Sequence, residues 1–261
     1  MLVLTVCVVA ATSCKKKDDK DNIVPITGIT LTPATQTLTV GGQSGKLTPT
    51  ITPDNATDQK VKWNVEPIDV IIVADDGSII AIKEGEAIVT ATAGGKTAAA
   101  NVKVNAAIPA ATFPDVNFQA FVIEIFDTNK DGVISTAEVA AVSEIRCDRK
   151  NIASLEGIEV FTALTYLDCG FNQLTTLDVS KNTALTDLSC GDNPLTVLDV
   201  SKNTALTYLT CDNNQLTATA LDALFNSLPT VTNGEIYTGS NPGTSTCDQS
   251  IATGKGWTVN E

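Results

Sequence analysis

The sequence predicts a multidomain protein in which an all-β module is followed by an α/β solenoid of short repeats with a helical cap at its front. Three observations carry this prediction. Residues 164–205 read LTYLDCGFNQLTTLDVSKNTA and then LTDLSCGDNPLTVLDVSKNTA, and Leu206 opens a third copy, so Leu164, Leu185 and Leu206 recur every 21 residues. Residues 23–105 are cysteine-free Thr/Val/Ile-rich runs broken by Gly, Pro and Asp-Asn, the texture of short strands and turns. Between these regions lies a loop rich in oxygen-bearing side chains, flanked by apolar stripes at helical spacing.

At the N-terminus, MLVLTVCVVAATSC precedes KKKDDKDN. The apolar run is too short to span a bilayer and resembles a lipoprotein signal peptide over residues 1–14, with Ala11-Thr12-Ser13 as the lipobox and Cys14 as the lipidated residue. Ala11 stands where Leu is usual, and no basic residue precedes the run, which points to a start further upstream. Cys7, behind the bulky Val6, is the competing candidate, and a soluble chain with an apolar terminus is the alternative. Residues 15–22 resemble the tether and surface-export signal of Gram-negative outer-membrane lipoproteins. That resemblance implies a lipid-anchored, surface-exposed location at the outer membrane.

In the β module, 23–105, strands are expected at Ile29-Leu31, Gln36-Val40, Lys46-Ile51, Val61-Val65, Ile71-Val73, Ile79-Ile82, Ala87-Ala93 and Ala98-Val104. The segments ITGITLTP, LTVGG, LTPTITPDNAT, VKWNV, DGSIIAIKEGEAIVTATAGGKTA and NVKV resemble the bacterial immunoglobulin-like domain, group 2. This implies an immunoglobulin-like sandwich with Trp63 buried in its core and GEAIVTATAGG as a central strand entering a hairpin. Such domains usually act as spacers.

After a linker at 106–112, the cap at 113–145 contains residues 127–138, DTNKDGVISTAE, which match the EF-hand calcium pattern. Asp127, Asn129 and Asp131 would supply oxygens at positions 1, 3 and 5, the Val133 carbonyl at 7, Ser135 or a water on it at 9, and Glu138 two oxygens at 12. Gly132 permits the sharp turn. A hard cation such as Ca2+ takes six to eight oxygens and needs such a set. Phe118, Phe121, Val122 and Ile125 stripe the entering helix, and Val139, Val142 and Ile145 the exiting one. The hand is single, so its apolar face is expected to cover the first coil of the repeats. This arrangement resembles the EF-hand-like cap of internalin-type leucine-rich repeat proteins.

The repeats at 146–217 read L-x-x-L-x-C-x-x-N-x-L. Leu164, Leu167, Cys169, Leu174 and Leu177 should face the core, and Asn172, Asn193 and Asn214 should form a ladder that satisfies buried backbone. Cys147, Cys169, Cys190 and Cys211, at intervals of 22, 21 and 21 residues, are expected to be reduced, buried thiols. Parallel in-register side chains do not face one another as a disulfide requires. In the C-terminal cap, 218–261, a helix over Ala218-Leu228 and strands at Glu235-Thr238 and near Trp257-Val259 are expected. The stretch 113–261 resembles EF-hand plus short leucine-rich repeat proteins of anaerobe cell surfaces.

Strand alternation places Tyr166, Asp168, Asp187, Ser189, Tyr208, Thr210 and Asp212 on the outward, concave sheet, with Phe171 and Asp192 at its rim. Aromatics beside carboxylates suit a basic protein segment or a glycan. The same residues would also make a merely solvated acidic face. The net charge of −13 disfavours nucleic acid, and the lack of histidine excludes Ser/His and Cys/His nucleophile pairs. No acid pair or nucleophile elbow points to an enzyme. The expectation is a monomeric, non-enzymatic recognition or adhesion lipoprotein, or else a structural accessory one.

Overall fold

The computed structural model of the chain describes residues 23–261; the expected signal peptide, tether and Cys14 lie outside the described residues. The N-terminal module contains β1 (Gly28–Thr32), β2 (Thr35–Thr39), β3 (Gly45–Lys46), β4 (Thr48–Thr52), β5 (Lys62–Glu66), β6 (Ile71–Val73), β7 (Ser78–Ala81), β8 (Gly85–Ala93) and β9 (Lys96–Asn105). They form sheets in the orders β2-β9-β8-β5, β3-β7-β6 and β1-β4 around one core that includes Leu38, Leu47, Ile71, Ile79, Val89 and Val102. The central β8 turns into β9 through Gly94 and Gly95, both at positive φ, as a tight two-residue hairpin requires.

Two expectations for this module change. The single strand expected over Lys46-Ile51 is two, because the chain changes sheets at Leu47: β3 pairs with β7, and β4 pairs with β1. Leu47 is fully buried at the switch, and its N–H donates to the Gly77 carbonyl. Trp63 is only half-buried rather than a core residue. Its indole lies over the turn at 74–77 and donates to the Asp75 carbonyl at 3.1 Å, which holds the ring at the edge of the core.

The C-terminal unit begins with α1 (Val116–Phe126) and α2 (Thr136–Ala140). A parallel six-stranded sheet follows: β10 (Glu144–Arg146), β11 (Tyr166–Asp168), β12 (Asp187–Ser189), β13 (Tyr208–Thr210), β14 (Gly234–Tyr237) and β15 (Trp257–Asn260). Between the last strands lie α3 (Ala218–Ser227) and α4 (Ser250–Thr253). The central residues Ile145, Leu167, Leu188, Leu209 and Ile236 are in register and fully buried. One apolar core runs unbroken from Phe113 to Trp257. At its front Phe113, Phe118, Phe126 and Phe161 pack ring against ring and close the first coil. Phe161 occupies the place that Asn182 and Asn203 take in later copies, where a ring meets the aromatic cap instead of an adjoining coil.

Here too the structure corrects details. Ile125 is half exposed, because it lies off the face of α1 that buries Phe118, Phe121 and Val122. The exiting helix is a single short turn, so Ile145 lies on β10. Leu177 is partly buried, whereas Val179 is fully buried behind it. The sheet also continues past the sequence repeats, with β14 and β15 as further parallel rungs.

Side-chain amides bind the coils together. Asn193 donates to the carbonyls of Cys169 and Cys190 and accepts from the Leu174 N–H at 2.9 Å. Asn172 and Asn214 repeat the pattern one coil away on either side. Asn241 extends it to β14, donating to Cys211 and Thr238 and accepting from Leu216. A second ladder, unrecognised in the sequence, runs through Asn182 and Asn203, which donate to the carbonyls of Ile158 and Phe161 and of Val179 and Asn182. Its signal was the repeated VSKNTA.

The four repeat cysteines are buried free thiols. Cys169, Cys190 and Cys211 each lie 3.3 to 3.4 Å from the carbonyl oxygen of Ser189, Thr210 and Tyr237 respectively, on the next strand. Burial pushes the thiols of Cys147 and Cys190 up to about 12, with Asp168 and Asp212 respectively adding to it. The unreactive protonated form is therefore the stable one. Cys190→Val is expected to cost less than about 1.5 kcal/mol, since the volume is nearly kept and the Thr210 carbonyl retains the Cys190 N–H. Loss of a disulfide would cost about 2 to 5 kcal/mol. Mass spectrometry of alkylated, unreduced protein checks this: alkylation only after denaturation is expected, and a linked Cys169–Cys190 peptide would refute it.

Candidate functional site

Two regions carry chemistry. The first is the loop at 127–138. Lys130 and Gly132, at φ 58° and 82°, wrap the backbone so that the oxygen-bearing side chains turn inward. The Asp127 carboxylate accepts from the N–H groups of Asp131 at 3.1 Å and Gly132 at 2.8 Å. Asn129 Oδ1 accepts from Asp131 N–H, and Asp131 Oδ1 from Val133 N–H. Among the described residues no protein donor reaches the Val133 carbonyl. Ser135 and Glu138 form a reciprocal capping box that starts α2.

Glu138 stands apart from the other donors. One carboxylate oxygen accepts from Ser135, the other from the Thr128 N–H at 2.8 Å and its hydroxyl at 2.9 Å. Burial pushes this carboxyl upward, but the donors from Ser135 and Thr128 outweigh it and hold it below the usual carboxylate range. As the side chains stand, no three His, Cys, Asp or Glu among the described residues converge on a metal position. In kind, however, the donors fit a hard cation: they are all oxygen, and the turns at Lys130 and Gly132 are already made. Asp131 is buried, yet none of the ion pairs among the described residues involves it.

Asp115, which sequence reasoning passed over, ties the front of this unit together. One oxygen caps α1 through the N–H groups of Asn117 and Phe118, and the other takes those of Ala153 and Ser154 in the first coil.

The second region is the outward face of the parallel sheet. Glu144, Tyr166, Asp187, Tyr208 and Glu235 form one cross-strand row; Arg146, Asp168, Ser189, Thr210 and Tyr237 form the next. Tyr166, Asp168, Asp187, Ser189, Tyr208 and Thr210 are partly exposed on this face as expected, whereas Gly170 and Gly191, which strand alternation also turns outward, are buried. Tyr237 was missed as a face residue because β14 lies outside the sequence repeats. Its ring lies 5.8 Å from that of Tyr208. Arg146 covers the Tyr166 ring at 4.3 Å and reaches its hydroxyl. The Tyr208 hydroxyl is held above its usual value by burial first and then by Glu235 and other anionic neighbours.

Beside these rows a basin of about 300 Å³ is lined by Asp148, Asp168, Asp192 and Asp212, by Ser189 and Thr210, and by Arg149, which pairs with Asp148 at 3.0 Å. Gly191 leaves it room, since a Cβ there would meet Asp212 Oδ1 at 2.7 Å. Phe171 and Asp192 flank it in left-handed conformations, and the Arg149 guanidinium stacks 3.8 Å from the Phe171 ring centre. The basin therefore favours cationic or polyhydroxylated groups.

Residues 25–104 match the family described as bacterial Ig-like domain (group 2), which makes the first module immunoglobulin-like. Internalin J of Listeria monocytogenes serotype 4b (strain F2365) is 45% identical over 70 residues, covering 27% of this chain and 8% of that protein. The chain thus spans only a small part of that relative's length. Among solved structures, the functional domain of InlJ from Listeria monocytogenes, described as including a cysteine ladder, aligns with a TM-score of 0.39 at 45% identity, covering 41% of this chain and 24% of that one. An internalin, InlF, from Listeria monocytogenes str. 4b F2365 aligns with a TM-score of 0.47 at 22% identity, covering 59% and 45%. The family match over residues 25–104 and the identity to Internalin J over 70 residues give a multidomain, β-rich chain with an immunoglobulin-like module and an internalin-like segment. Among the described residues no helix is long and apolar enough to cross a membrane.

Proposed function

We propose that this chain is a cell-surface lipoprotein, anchored through Cys14, that acts as a non-enzymatic recognition or adhesion module. Its leucine-rich repeat solenoid, capped by an EF-hand, binds a protein or glycan through the concave face. One observation carries this reading: Tyr166, Tyr208 and Tyr237 stand on a rigid sheet beside a basin of four carboxylates. Such a surface suits a basic peptide or a sugar ring, stacked on the aromatics and hydrogen-bonded by the acids. The kinship of 70 residues with Internalin J supports a surface role. A purely structural role is the second reading, favoured by the stacking of Arg146 on Tyr166, which leaves that ring already covered.

Ca2+ is assigned to Asp127, Asn129, Asp131, the Val133 carbonyl, Ser135 and Glu138, as a structural ion. A site with a dissociation constant near 10⁻⁴ M is filled at millimolar calcium and adds about 1.4 kcal/mol, too little for a switch.

Three outcomes are expected. Tyr166→Ala combined with Tyr208→Ala should weaken retention of the protein on a glycan array or a basic-peptide panel by about tenfold or more; equal retention defeats the concave-face reading. Calcium should raise the thermal midpoint relative to chelator, and Glu138→Ala should abolish that difference; a wild-type midpoint indifferent to calcium removes the metal assignment. Cys14→Ala, expressed with its native upstream sequence, should leave the membrane fraction, and unchanged membrane association would rule out the anchor.

A further inference from the structure

The loop at 127–138 does not stand free of the first module. The turn after β2 lies directly on it: Gln43 N–H donates to the Asp131 carbonyl at 3.1 Å, and Asn129 Nδ2 donates to the buried Thr39 hydroxyl at 3.2 Å. A Cβ at Gly42 would overlap the Asp131 carboxylate, so a larger residue in this turn would have to push that side chain aside. The linker covers the other edge. Ala107 and Ser135 form an antiparallel bridge, with Ile108 N–H donating to Ile134 at 2.6 Å and Thr136 N–H donating to Ala106 at 2.9 Å.

The immunoglobulin-like module therefore covers the Asp131 side of the loop, while the linker pairs with the edge that a second hand would otherwise occupy. Asn129 serves both sides, since its amide oxygen points into the loop and its nitrogen reaches the module. Asp131 is 8% exposed beneath this contact. A buried carboxylate with no basic partner is costly, and a cation inside the loop would relieve that cost.

We infer that the loop is the joint of the molecule, a divalent-cation clamp in which calcium binding and docking of the immunoglobulin-like module against the repeat cap reinforce each other. This rests on the calcium assignment above. An empty loop, with the Asp131 carboxylate held under Gly42, favours release of the module, and a filled loop holds the two units as one rod that presents the concave face at a fixed angle. Because such coupling is reciprocal, whatever loosens the contact weakens the ion by the same factor.

The test uses the whole chain with calcium alone as ligand. Calorimetric titration would compare wild type with Gly42→Ala, which wedges the contact, and with the near-isosteric Thr39→Val, which removes the acceptor for Asn129; neither residue is an ion ligand. Amide exchange at Gln43 and Ile108 would be followed with calcium and with chelator. Calcium is expected to slow exchange at Gln43 by about fivefold or more, and both variants to lose affinity by a comparable factor. Calcium binding that is equally tight in all three proteins, with Gln43 exchange unchanged, overturns the clamp and leaves the metal site standing. A wild-type chain that takes up no calcium overturns the metal site and the clamp together.

Discussion

Where each strand of the parallel sheet ends, the chain turns across the end of the core with backbone carbonyls that neither water nor the sheet can reach. The asparagine side chain three residues past the inward cysteine resolves this. Its amide nitrogen serves a carbonyl of its own coil and one of the coil before, while its oxygen takes an N–H of that earlier coil. An orphaned buried group would cost about 1 to 3 kcal/mol, so each rung bears on several such costs. Because every amide spans two coils, neighbouring coils must stack in register. That register places Leu over Leu and thiol over thiol in the core.

The same constraint shapes the outer face. Arg149, Phe171, Asp192, Asn213 and Ser240 occupy the equivalent exit position, all at φ between 50° and 58°. A bulky residue such as Phe171 holds this conformation at a cost of order 1 to 3 kcal/mol, which the ladder beneath it over-determines. After Phe171, Asp192, Asn213 and Ser240 the next residue is the rung asparagine, which sets the backbone there and leaves the exit side chain free to vary. The rim of the acidic basin is drawn from these positions. Recognition, in this reading, uses the positions that the packing leaves unassigned.

The units at either end inherit their form from this stack. At the front no earlier coil exists to receive an amide: Lys150 stands where later coils carry the rung asparagine, and Phe161, at the place of the second ladder's Asn182 and Asn203, joins the aromatic cap around α1. Asp115 then supplies the hydrogen bonds between cap and coil. At the back, Thr238 and Asn241 continue the rungs without the leucine repeat, and Trp257 closes the core while donating to the Pro229 carbonyl. The loop at 127–138 lies between this rigid stack and the immunoglobulin-like module, and it touches both.

The sequence by itself determined the features that depend on local spacing: the coil period, the inward leucines and cysteines, the asparagine rung, the strand pattern of the first module and the oxygen-bearing positions of the loop. Each is a relation between residues a few positions apart, or between near-identical copies, so it survives without knowledge of what packs where. Tertiary structure alone decided which elements meet. Nothing local shows that Ile125 stays in solvent, that Trp63 leans over a turn, or that Leu47 changes sheets. Tyr237 joins the aromatic row through a strand whose copy of the motif, Thr238-x-x-Asn241, had lost its cysteine and its 21-residue spacing. The contact of Gly42 and Thr39 with the loop spans some ninety residues of chain. Such pairings depend on the surfaces that two separately folded cores leave exposed, and periodicity within either segment says nothing about them.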